Sequence, residues 1–258
     1  MKWILQETIA LTMRSVKRLS RERISMVFGL IQPMLFWLIL FGNLFQKTAQ
    51  IPGFQAPNYI TFLTAGVVIM TVLNSGLSGG VDLLFDKESG FLERLLSAPI
   101  SRNSLIYSRF IFVMGITSVQ ILVILLVAFL VFGVYPHSGL LGMAFIMLVG
   151  LLFGLGLIAI SLMLAFAIKG HGNFFALMGF LTLPLIFLST ALVPSQAMPG
   201  WMAFITQLNP MTYAIEAVRE LILGGWFWAD IVKVLAVLVV FDAISIGLSS
   251  RIFHRQVG

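Results

Sequence analysis

Nucleotide chemistry would need a Gly-x-x-x-x-Gly-Lys-Ser/Thr loop whose backbone N–H groups cradle the phosphates. Glycine is nowhere followed by lysine in these 258 residues, so the chain has no such loop. Cysteine is absent, which removes thiolate nucleophiles, disulfides and cysteine-based metal sites. His137, His171 and His254 fall in separate loops or the tail, too scattered for one metal centre. Among the acids, Asp242 alone lies well inside an apolar run. A carboxylate at that depth is either a functional site or a hydrogen-bond partner for a neighbouring helix. The chain therefore reads as no enzyme by itself, with no cofactor or metal site of its own. If it uses energy, a partner must supply it.

Two other groups of residues could act. Phe85-Asp86-Lys87-Glu88-Ser89-Gly90-Phe91-Leu92-Glu93-Arg94-Leu95-Leu96 interleaves charge with apolar residues so that Leu92, Leu95 and Leu96 share a helix face. Ser97-Ala98-Pro99 then stops that helix, since proline disfavours helical geometry in the residue before it. Such a helix suits docking into a groove on another protein, or packing on the chain's own ends. Within the apolar runs, Thr71, Asn74, Ser75 and Ser78 cluster with Gly76, Gly79 and Gly80, while Thr182, Ser189 and Thr190 flank Pro184. Small and hydroxylated residues in a membrane helix either allow close packing or line a path.

The elements that must position these residues follow from composition. Hydrophobic residues make up 59% and charged ones 10%, with a mean hydropathy of +1.04, so the relevant solvent is a bilayer. Six runs are long enough to cross it as helices: about 24–45, 59–81, 104–134, 140–168, 174–193 and 228–250. Of the sixteen Lys and Arg, all but Lys47, Arg219 and Lys233 fall on one side of these runs. The positive-inside rule puts that side, and both termini, in the cytoplasm. The net charge of +6 thus reports topology and not a nucleic-acid partner. Residues 1–22 place Leu5, Ile9, Met13 and Val16 on one stripe and Glu7, Arg14, Arg18 and Arg21 opposite. That pattern predicts an amphipathic helix along the interface, its cations toward anionic lipid.

Between runs five and six, residues 194–227 hold two short elements. Pro199 to Gln207 is too short to span and too apolar to be solvated; Asn209-Pro210 then supplies an N-cap and a first-turn proline for a helix that Gly224-Gly225 stops. These read as a re-entrant or surface pair, with Glu216 and Arg219 solvated or interfacial. No internal repeat is visible, and 1–258 reads as one all-α membrane domain.

The order of these features resembles the permease subunit of ABC-2 type transporters, the superfamily of daunorubicin-resistance-type and lipid-linked glycan exporters. The resemblance covers essentially the whole chain. It rests on the basic leader, six spans with both ends inside, the Glu88-Ser89-Gly90-Phe91-Leu92-Glu93-Arg94-Leu95-Leu96-Ser97-Ala98-Pro99 segment, and Leu208-Asn209-Pro210-Met211-Thr212-Tyr213 before the last span. The wording of the first motif is similar to cyanobacterial and plastid members, beside the inner membrane of a bacterium as the expected location. The resemblance implies two separate ABC ATPase subunits that bind ATP and Mg, and a second copy of this chain or a paralogue. It also implies a coupling helix over Asp86 to Leu96 and a path between protomers lined by the second and fifth spans. Coupling residues would be Glu88, Phe91, Leu92, Glu93 and Arg94; path residues would be Asn74, Ser78, Thr182 and Ser189. The expected cargo is drug-like or lipid-like, with a lipid-linked glycan as the alternative. An ion-coupled secondary transporter built on Asp242 is the rival, against which the missing inverted repeat argues.

Overall fold

A computed structural model describes residues 2–50, 54, 56–97, 100–168, 170–226 and 228–257, and the described residues are helical apart from short connections. The leader forms α1 (Lys2–Arg21), and the backbone at Glu22 breaks it from the next helix. Leu5, Ile9, Met13 and Val16 are all exposed on α1, as a lipid-facing stripe would be.

The first apolar run is α2 (Arg23–Gln32), a π-helical stretch (Pro33–Phe41) and α3 (Gly42–Leu44) in continuous succession. Proline at the head of the wide turn has no N–H to place in an α-helical ladder. The other long helices are α4 (Tyr59–Ser78), α7 (Arg102–Phe132), α8 (Gly139–Ala167) and α12 (Trp228–Val257). Between α4 and α7 come α5 (Val81–Glu88) and α6 (Phe91–Ser97). The coupling segment expected as one helix is therefore two. Gly90 breaks it by adopting φ +69°, a left-handed conformation that glycine takes without steric cost. Ala98 and Pro99, expected to end the second helix, lie outside the described residues.

Among the described residues, five stretches are long and apolar enough to cross a membrane: Met26–Leu44, Tyr59–Glu88, Asn103–Phe132, Gly139–Ala167 and Asp230–Ile252. The run expected over 174–193 instead gives α9 (His171–Phe187), only 17 residues with Pro184 inside. At about 1.5 Å per residue such a helix falls short of a hydrocarbon core of roughly 30 Å. Two more helices follow, α10 (Gly200–Thr206) and α11 (Pro210–Leu223).

The core is built around α4, which is buried along most of its length and packs against α7, α8 and α11; α12 lies along α8. Glycines let these backbones meet. A side chain at Gly80 would collide with the backbone carbonyl of Ser161, whose hydroxyl accepts from the Gly80 N–H at 2.9 Å. Gly156 is closed over by Phe241 and Asp242 of α12 in the same way. The short helices are secured by their ends. Asn209 caps α11 by accepting from the Met211 N–H at 3.0 Å. At the other end, the His137 N–H donates to Ile222 O at 3.2 Å and the Ser138 hydroxyl to Leu221 O at 2.7 Å. Buried groups at helix ends need such protein partners.

Gly80→Val is expected to destabilise the purified protein by about 1–3 kcal/mol, because α4 and α8 must separate. Gly115→Ala, on an open face of α7 with nothing within 4 Å, should leave stability unchanged or raise it by up to ~1 kcal/mol. Thermal melts in one detergent compare the two.

Candidate coupling and translocation site

Asp82 and Asp86 lie four residues apart on α5, a spacing at which like charges repel across one turn. Arg109 of α7 resolves that repulsion. Its Nη1 is 2.8 Å from Asp82 Oδ2 and its Nη2 is 2.6 Å from Asp86 Oδ2. The Arg109 and Asp86 side chains are 5% and 7% exposed, so this pair is shielded from water. Helix α1 completes the network: Arg14 reaches Asp86 Oδ1 at 2.9 Å, Arg18 reaches Asp82 Oδ1 at 3.4 Å, and the Ser15 hydroxyl accepts from Arg109 at 3.2 Å. Arg14 and Arg18, expected to face anionic lipid, instead turn toward the two carboxylates. Desolvated acids are stronger partners than headgroups in water, which is the physical reason for the difference. Glu7 ties α1 to the start of α7 by accepting from the Ser104 hydroxyl at 2.6 Å and the Ser101 N–H at 3.0 Å. Those two bonds hold its carboxyl below the usual range, the Ser104 hydroxyl most.

Next to this network, between α2, α4 and α7, lies a cavity of about 460 Å³. Asp82 and Arg109 border it; Gln32, Asn74, Ser75, Ser78 and Gln120 give it amide and hydroxyl groups, and Phe112, Ile116 and Phe175 give it an apolar wall. The Ser75 hydroxyl donates to Gln120 Oε1 at 2.5 Å, and Gln120 Nε2 donates to Gly29 O at 3.3 Å, linking the three helices.

Of the expected path residues, Asn74 and Ser78 are exposed in this cavity. Ser189 lines a separate apolar cavity of about 330 Å³ with Phe41, Phe45, Tyr59, Phe187 and Met202. Its hydroxyl bonds Ile186 O at 2.7 Å. Thr182 spends its hydroxyl on Met178 O of its own helix at 2.8 Å. The four are not gathered along one surface. Asp242 is buried beside Gly156 and borders neither cavity.

The coupling residues also separate. Leu92 is buried in this chain's own core, Phe91 lies half-buried with the Arg14 guanidinium 4.0 Å above its ring, and Leu95 packs on the core. The side chain of Leu96 lies outside the described ones. Glu93 and Arg94 are the exposed pair on α6, and Glu88 is bonded to His171. The apolar face of α6 therefore packs inward and its charges point out.

At the opposite end, Arg219 corrects another expectation. It is 5% exposed, not solvated, because the face of α11 that carries it packs into the bundle. Its guanidinium stacks 3.7 Å from the Phe62 ring centroid, donates to Thr190 O at 2.6 Å and pairs with Glu216 at 2.9 Å. The neighbouring Glu220 is pushed up to about 7, by burial first and then by the Asp230 and Glu216 carboxylates.

The pairings of Arg109 were not anticipated. An i,i+4 acid pair just after a span, with an arginine in the first turns of the next, was the signal available for them.

The ABC-2 type transporter family model matches residues 6–223. A protein of Pyropia yezoensis named transport permease ycf38 is 37% identical over 98% of this chain and 90% of its own length. The Porphyra purpurea protein of the same name is 36% identical over the same shares. The daunorubicin resistance ABC transporter permease protein DrrB1 of Streptomyces coeruleorubidus is 27% identical over 88% of this chain and 78% of its own length.

Arg109→Met should cost about 3–5 kcal/mol of stability by leaving buried carboxylates short of a partner. Arg109→Met combined with Asp86→Leu should lose less than Arg109→Met alone, and a double-mutant melt series reads this coupling. For Glu220, a carboxyl whose folded value is raised favours the folded state when protonated, and that contribution is lost as pH rises from about 4.5 through about 7. The melting temperature should therefore fall between pH 5 and pH 8, and Glu220→Gln should flatten that dependence.

Proposed function

The chain belongs to the ABC-2 type transporter family, and on that premise we propose that it is the membrane half of an ATP-driven exporter of amphiphilic molecules. The observation that carries this reading is the exposed Glu93–Arg94 turn joined, through α5 and its ion pairs to Arg109, to a cavity of mixed polarity. ABC ATPase subunits, two per transporter, bind beneath that turn and hydrolyse ATP. Nucleotide-driven closure shifts the permease between inward- and outward-open populations. The basic end then faces the cytoplasm, as the distribution of Lys and Arg requires. Glu93 and Arg94 of α6 are the direct ATPase contacts; Phe91 and Leu92 hold the helix to this chain.

Cargo chemistry follows from the cavity wall. Its two charged groups, Asp82 and Arg109, already neutralise each other, so the wall calls for no net charge on the cargo. Asn74 and Ser78 line this cavity together with the rings of Phe112 and Phe175, a surface for a neutral polar head on an apolar body. That favours a drug-like or lipid-like molecule over a lipid-linked glycan.

The transporter uses two copies of this chain. Helix α9 packs within its own chain mainly on α4 and exposes Phe175, Phe180, Leu183 and Phe187. A second protomer covers that face, and Pro194–Gly225 closes the outer end as a re-entrant pair, so that α9 serves as the short sixth crossing.

Arg94→Glu should leave the melting temperature unchanged while reducing co-isolated ATPase and its hydrolysis at least tenfold. Full co-isolation and hydrolysis with Arg94→Glu would contradict the assignment of this turn.

A further inference from the structure

Helix α9 buries Phe174, Met178 and Ile186 in its own chain, and polar contacts fix both of its ends. At the outer end the Asn209 amide donates to Leu185 O at 2.9 Å and Leu188 O at 2.7 Å, carbonyls that the end of the helix at Phe187 leaves without an intrahelical partner. At the basic end the anchor comes from the last turn of α5. Glu88 Oε1 accepts the His171 N–H at 2.8 Å, and Glu88 Oε2 lies 2.9 Å from His171 Nδ1. Its neighbour Lys87 donates to Phe166 O at 2.8 Å, at the end of α8. A carboxylate thus sits on the amino end of one helix and an ammonium on the carboxyl end of the helix before it. Each charge matches the partial charge of the end it holds.

We propose that Lys87 and Glu88 are positioning residues, a two-charge clip through which the α5–α6 turn sets the position of α9 and so the Phe175 wall of the cavity. Two glycines give the clip its pivots: Gly90 after α5 and Gly170 before α9, at φ +69° and +84°. The segment between the pivots and the cavity is short, since Phe175 lies only one turn beyond His171. Displacement of the turn from below is transmitted to α9 through the two contacts of Glu88 with the first residue of that helix. Glu88 therefore acts inside this chain, leaving Glu93 and Arg94 to meet the ATPase. The inference rests on the assignment of that turn as the ATPase contact.

The absence of cysteine makes a single reporter thiol available: Phe180→Cys, on the face of α9 that is open within its own chain and that the second protomer covers, so that its labelling reads opening between protomers. In the permease–ATPase complex, ATP with vanadate should change the rate of maleimide labelling at this position threefold or more. Adding Glu88→Ala should abolish that change while co-isolated ATPase and basal hydrolysis stay within twofold. Glu88→Gln, which still accepts the His171 N–H, should retain it and serves as the folding control. Nucleotide-dependent labelling that survives Glu88→Ala would overturn the clip, as would loss of co-isolated ATPase, which would place Glu88 in the ATPase contact instead. Should the unsubstituted chain carry no ATPase, the function proposed above fails and this inference falls with it.

Discussion

Arg109 carries its charge where water scarcely reaches, and a guanidinium so placed is tolerable only when acids meet it in good geometry. Asp82 and Asp86 meet it from α5, and Arg14 and Arg18 of α1 complete the balance. Three elements distant in sequence are thereby fixed to one another at the basic end. The ion pairs join α1, α5 and α7, and Asp82 and Arg109 also form part of the wall of the cavity beside them.

Elsewhere the same scarcity of water governs helix ends. Asn209, His137 and Ser138 each satisfy carbonyls or N–H groups that a broken helix in apolar surroundings leaves open. Arg219 repeats the logic near the outer end, using Thr190 O, Glu216 and the face of Phe62. The bundle thus has a tightly packed centre on α4 and α8, whose glycines bring backbones together, and an edge at α9 held by polar contacts at its ends.

Much of this was legible in residue order because the signals are local. Asn209-Pro210 and Gly224-Gly225 bound a helix by capping and backbone preference, and both marks correspond to observed ends. The stripe on the leader follows helical spacing, and long apolar runs fix long helices. What stayed hidden depends on distance or on competition. Arg14 lies 72 residues from Asp86, and no periodicity predicts that it prefers a carboxylate to a lipid phosphate. Burial of Arg219 depends on which face of α11 meets α4. Pro184 could end a helix or kink it, and only packing decided that α9 stops at Phe187. The coupling segment misled because its apolar spacing suits a docking helix, whereas Gly90 splits it and Leu92 turns inward.

The proposed function requires an ATPase seated beneath α6 and no other source of energy. A maleimide that cannot cross membranes, applied in sealed inside-out vesicles to Ser97→Cys, at the exposed end of α6 one turn beyond Glu93, tests this most directly. Rapid labelling that partner ATPase then blocks is the predicted result. Labelling obtained only from the opposite face of the membrane, or unchanged when ATPase is bound, would contradict it.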